Sequence, residues 1–94
     1  METKVLKPSQ ESLTLAAEIF RSGGLVGIPT ETVYGLGANA FDEKAALAIF
    51  AAKERPADNP LIVHIHCEAQ LKDIVSNIPE SARKLMDAFW PGPL

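Results

Sequence analysis

An α/β (α+β) layer architecture follows from three observations on this 94-residue chain. Two segments show helical periodicity, each is followed by a short apolar run of buried-strand length, and glycine or proline punctuates the junctions. Helices alternating with strands bury their apolar faces most simply as helix layered on sheet.

In chain order, Thr3 to Leu6 reads as a short strand stopped by Pro8. Ser9 can cap the next segment, because its side-chain oxygen can accept a bond from an orphan amide. Leu13, Ala16, Ala17 and Phe20 then recur at three- and four-residue spacing, which predicts an amphipathic helix over 10–21. Gly23 and Gly24 end it, since glycine enters the left-handed conformation that helix ends favour. Leu25 to Ile28 follows as a buried strand, and Pro29 to Asn39 as a loop rich in Thr and Gly. Asp42 can cap a second helix that runs through Ala45, Ala46, Leu47, Ile49 and Phe50 to Lys53.

A polar segment with two prolines, Glu54 to Pro60, ends that helix and leads into a second buried strand, Leu61 to Ile65. Residues 68–75 read as a short helix and Ile78 to Phe89 as another, with Pro79 near its first turn, where proline is tolerated. Trp90, Pro91, Gly92 and Pro93 form a rigid turn. The expected arrangement places Leu25–Ile28 and Leu61–Ile65 in one sheet with both longer helices packed on it. About three strands are few for a stable sheet, and the last turn should lead into a further element. A truncated sheet is therefore expected, with residues 1–94 as the N-terminal portion of a single domain.

Composition narrows the function classes. With 47% hydrophobic and 22% charged residues the chain is ordinary globular protein. A net charge of −3 argues against a general polyanion-binding surface, so phosphate recognition must rest on a local cationic cluster. The single cysteine, Cys67, has no partner for an internal disulfide, and a reducing cytoplasm is the expected compartment. Glu2, Lys4, Lys7, Glu11 and Glu18 interrupt any signal-like apolar run. No membrane association is expected, because no stretch approaches the roughly 18 apolar residues that a span needs.

Three segments can carry chemistry. Pro29-Thr30-Glu31-Thr32-Val33-Tyr34-Gly35-Leu36-Gly37 directly follows a predicted strand, where α/β folds place their ligands. Its hydroxyls can orient a small polar molecule and its glycines admit close backbone approach. A tight turn whose threonines bond the local backbone explains the same residues, and short motifs of this kind more often have that origin. Lys53 and Arg55, two apart at a helix end, combine a compact charge with a planar fork suited to triphosphate oxygens, and Asn59 can add a directional bond. On spacing alone, cations that complement the helix C-terminal dipole and face water are the commoner case. His64, in Leu61-Ile62-Val63-His64-Ile65-His66, shares a strand face with His66, while Val63 and Ile65 take the other. No ligand cluster accompanies these histidines, so His64 reads as a hydrogen-bonding group rather than a metal ligand. His66 reads as a solvent-facing strand-end residue, and Cys67 as an inert thiol. Neither a P-loop nor a dinucleotide fingerprint is present.

Taken together and in this order, PTETVYGLG, KERPADNPL, LIVHI and WPGPL resemble the YrdC-like threonylcarbamoyl-AMP synthase family over residues 23–94. The resemblance implies a twisted open YrdC/RibB-like sheet with packed helices around a cavity. It implies a nucleotidyltransferase that joins L-threonine, bicarbonate and ATP into threonylcarbamoyl-AMP and releases pyrophosphate, for the threonylcarbamoyladenosine modification at tRNA position 37. By analogy Thr32 and His64 hold the substrate threonine, with Thr30 and Tyr34 lining the same pocket. Lys53, Arg55 and Asn59 match the segment that contacts ATP, with Mg2+ as the accompanying cofactor. No catalytic residue is assigned. Expected partners are tRNA or double-stranded RNA and the proteins that complete the tRNA modification. Two alternatives stay open: a YrdC-type carbamoyltransferase domain of a maturation protein, and a non-catalytic RNA-binding module. Carbamoyltransferase domains of that type sit within long chains, so a start at Met1 with a helix of its own favours a standalone synthase.

Overall fold

Helix α1, Gln10–Arg21, starts and stops on short-range chemistry. The Ser9 hydroxyl oxygen accepts the Ser12 amide at 3.1 Å, while the Ser12 hydroxyl reaches back to the Lys7 carbonyl at 2.7 Å. At the other end the Gly23 amide donates to the Phe20 carbonyl at 3.1 Å and the Gly24 amide to the Ile19 carbonyl at 2.8 Å. With Gly23 at φ 88°, these bonds close a Schellman motif. The computed structural model describes residues 2–56, 60–92 and 94. It divides into two compact units, Met1–Leu61 and Ile62–Leu94.

In the first unit, β1 (Val26–Pro29) pairs antiparallel with β2 (Tyr34–Gly37), with Val26 opposite Gly37 and Ile28 opposite Gly35. Directly opposed residues share a face, so the half-buried Val26 and Ile28 lie on the side of the two glycines. Phe20 of α1 covers that side. A side chain built on Gly37 would sit 3.4 Å from the Phe20 ring, so glycine there lets the helix approach the sheet. Helix α2, Glu43–Lys53, is capped by Asp42, whose carboxylate accepts the Ala45 amide at 3.1 Å. Ala45 and Ile49, one turn apart, are its buried residues.

The second unit holds the 3-10 helix η1 (Glu68–Asp73) and helix α3 (Glu80–Phe89). They are joined by an ion pair between Arg83 and Glu68. The Glu68 carboxylate holds the Arg83 guanidinium above its ordinary value through a hydrogen bond and its charge.

The α/β class and the bounds 10–21 and 43–53 agree with the sequence reading, and three local expectations are corrected. Tyr34–Gly37 is a strand rather than part of a 29–39 loop, because pairing with β1 and cover from Phe20 outweigh the poor strand propensity of its glycines. Leu61–Ile65 is not a strand; no ladder partner meets it among the described residues, so β1 pairs with its own hairpin neighbour instead. Thr3–Leu6 is not a strand either, and Val5 is 95% exposed.

Close packing makes one glycine testable. A side chain on Gly24 would meet Ile19 Cγ2 at 2.6 Å, whereas one on Gly27 would find its nearest neighbour, the Gly35 carbonyl oxygen, at 4.0 Å. Gly24→Ala is expected to cost about 1–3 kcal/mol, the usual penalty for forcing volume into a packed site, and Gly27→Ala far less. Thermal melts of the two variants check this, and equal melting temperatures would count against the packing of Ile19 over Gly24.

Candidate functional site

The hairpin that carries the threonines is closed by one of them. The Thr30 amide donates to the Val33 carbonyl at 3.1 Å. Its hydroxyl donates to the same carbonyl and accepts the Val33 amide at 3.4 Å. Thr30 therefore makes the local backbone bonds that the turn reading anticipates, and its methyl lies near Gly35, 3.5 Å from where a side chain would begin. Thr32 and Tyr34 are different. Thr32 sits exposed at the hairpin tip, and Tyr34, 82% exposed, lies on the sheet face away from Val26 and Ile28. Both hydroxyls are open to a ligand.

The cationic segment is built by the end of α2. Glu54 adopts the left-handed conformation, φ 53° and ψ 40°, as the terminating residue. That turn brings the Arg55 amide to the Phe50 carbonyl at 2.9 Å and the Glu54 amide to the Ala51 carbonyl at 3.3 Å. The Arg55 side chain folds back in the same direction, with its guanidinium carbon 5.8 Å from the centre of the Phe50 ring. Lys53, in the last turn, is exposed. No carboxylate pairs with either cation among the described residues. Asn59 lies outside the described residues.

In the second unit His64 is exposed, while its neighbours Val63 and Ile65 line an apolar cavity of about 200 Å3 with Leu71, Ile74, Met86, Trp90 and Leu94. Ile65 is half-buried but Val63 is 49% exposed, so the expected alternation is kept only in part, and without a strand. The His66 amide and ring Nδ1 both meet the Gln70 side-chain oxygen, at 2.7 and 3.0 Å, which leaves His66 at the surface as a local anchor. A second cleft of about 550 Å3 lies among Glu68, Leu71, Lys72, Val75, Ile78 and Arg83. Neither cavity is lined by a candidate site residue.

The sequence reading treats Phe50 only as an apolar helical position and misses its place under Arg55. The available signal was an aromatic five residues before an arginine at a helix end, a separation that a Schellman closure folds together.

Residues 18–94 match the Sua5/yciO/yrdC family, described as Telomere recombination. The chain belongs to the Sua5/YciO/YrdC family. Its Pyrococcus abyssi relative, named threonylcarbamoyl-AMP synthase, is 58% identical over 82 residues, covering 87% of this chain and 24% of that protein. A Bacillus subtilis protein of the same name is 49% identical over 92 residues, covering 98% of this chain and 27% of that one. The crystal structure of P. abyssi Sua5 complexed with L-threonine superimposes with a TM-score of 0.86 at 53% identity, over 94% of this chain and 26% of that one. The chain thus spans about a quarter of the length of these Sua5 relatives.

Proposed function

We propose that this chain carries the threonine- and phosphate-facing surfaces of a cytoplasmic threonylcarbamoyl-AMP synthase. The observation that supports this most is its likeness to a Sua5 structure complexed with L-threonine, joined with the open hydroxyls of Thr32 and Tyr34. In this reading Thr32 and His64 hold the amino acid, with Tyr34 and Thr30 lining the pocket, and Lys53, Arg55 and Asn59 take the ATP phosphates.

The amine of L-threonine adds to bicarbonate and loses water to give a carbamate. A carbamate oxygen then attacks the α-phosphorus of ATP, and the bond to the β-phosphate oxygen breaks as pyrophosphate leaves. The protein's part is to hold the carbamate in line and to set positive charge where phosphate charge develops. No group of three His, Cys, Asp or Glu among the described residues has metal-ligating geometry. In this reading Mg2+ would enter with the triphosphate as part of the substrate. The adenylate product would pass to the proteins that modify tRNA at position 37, with tRNA as the final acceptor.

Pyrophosphate release by the full-length protein, with each substrate omitted in turn, tests the reading. Release is expected only when ATP, L-threonine and bicarbonate are all present. Thr32→Val is expected to raise the threonine KM roughly two- to tenfold, the value of one neutral hydrogen bond. Turnover indifferent to threonine would overturn the proposal, and turnover on a carbamoyl donor would favour the carbamoyltransferase. Salt-sensitive RNA binding without any pyrophosphate release would favour the RNA module.

A further inference from the structure

We infer that Phe50 is a positioning residue, a platform that presents the edge of the Arg55 guanidinium to an anionic ligand. The inference rests on the reading above, in which Arg55 contacts the phosphates of ATP.

Three observations carry it. The guanidinium carbon of Arg55 stands 5.8 Å from the Phe50 ring centre, within the range of cation–π attraction. The backbone of the same two residues is tied by the 2.9 Å bond from the Arg55 amide to the Phe50 carbonyl. Glu54 reaches the left-handed region at φ 53°, a conformation that a non-glycine residue adopts at a steric cost, and that turn directs Arg55 back over the helix instead of onward with the chain.

Stacking and phosphate binding use different parts of the guanidinium. An aromatic ring takes the planar face, while the five N–H donors radiate from the edge and stay available to oxygens. A free arginine loses considerable rotamer freedom when it binds an anion. One already held over Phe50 has given up part of that freedom before ATP arrives, and preorganisation of this kind appears as affinity. Lys53, two residues earlier and exposed, has no such platform among the described residues. The two cations are thus not equivalent: Arg55 is held over a ring, whereas Lys53 is an exposed charge without one among the described residues.

A double-mutant cycle on the full-length protein, read by calorimetric titration with ATP, tests the inference. Phe50→Leu keeps an apolar side chain but removes the ring, and is expected to weaken ATP binding about two- to fivefold, the scale of an exposed cation–π contact. Phe50→Tyr keeps the ring and should bind like the parent protein. In the Arg55→Ala background, Phe50→Leu should have no further effect, because the residue it positions is gone. Threonine affinity should be unchanged by Phe50→Leu, which separates positioning from general loss of structure. A Phe50→Leu effect that persists in full without Arg55 would overturn this inference alone. Unchanged ATP affinity in Arg55→Ala by itself would overturn the phosphate role of Arg55 and this inference with it.

Discussion

Replacing Arg55 with Ala in the full-length protein is expected to lower ATP affinity roughly ten- to a hundredfold, the equivalent of about 1.5–3 kcal/mol for a charged hydrogen bond lost from a phosphate. The expectation rests on the geometry at the end of α2. Arg55 is half-buried, lies over the Phe50 ring, and pairs with no carboxylate among the described residues. Arg55→Lys should recover only part of the loss, because an ammonium keeps the charge but neither the planar face nor the fork of donors. ATP titration by calorimetry measures both variants. Affinity equal to that of the parent protein in Arg55→Ala would leave the residue only the helix-end role, complementing the negative C-terminal dipole of α2.

The largest stability effect should come from Ile49→Ala. Ile49 is 6% exposed and Ala45, one turn earlier on the same stripe of α2, is 2% exposed; no other apolar residue among those described is buried. Removing three carbons from Ile49 should cost about 2–5 kcal/mol, from lost transfer free energy plus the cavity left behind. Val5→Ala, at a position 95% exposed, should change stability by no more than about 0.5 kcal/mol. Urea unfolding followed by circular dichroism compares the two. Equal midpoints would show that α2 is not anchored through this stripe. The contrast is sharp because so much apolar surface stays uncovered here, including Val33, Phe41, Ile62 and Phe89 at 69%, 74%, 83% and 66% exposure.

What the sequence determined by itself is what short-range chemistry decides. Ser9 and Asp42 set where α1 and α2 begin, because a cap needs only an oxygen three residues from an orphan amide. Gly23 sets where α1 stops, because its backbone alone reaches φ 88° without strain. The ordered segments from Pro29 to Leu94 also sufficed to indicate the family, which is a property of residue order and not of packing.

Three-dimensional closure decided the rest, because each outcome depends on which groups meet and not on composition alone. Tyr34–Gly37 holds too many glycines to announce a strand; it becomes one when β1 supplies the ladder and Phe20 settles over Gly37. Leu61–Ile65 has strand composition, but composition offers no partner; Ile65 is half-buried and Val63 stays 49% exposed beside the cavity that Met86 and Trp90 line. Thr30 and Thr32 look alike in the sequence. Hairpin closure commits the hydroxyl of Thr30 to Val33 and leaves that of Thr32 open. Arg55 reads as one more cation at a helix end until the left-handed turn at Glu54 folds it onto Phe50, because only three-dimensional closure sets a side chain's direction.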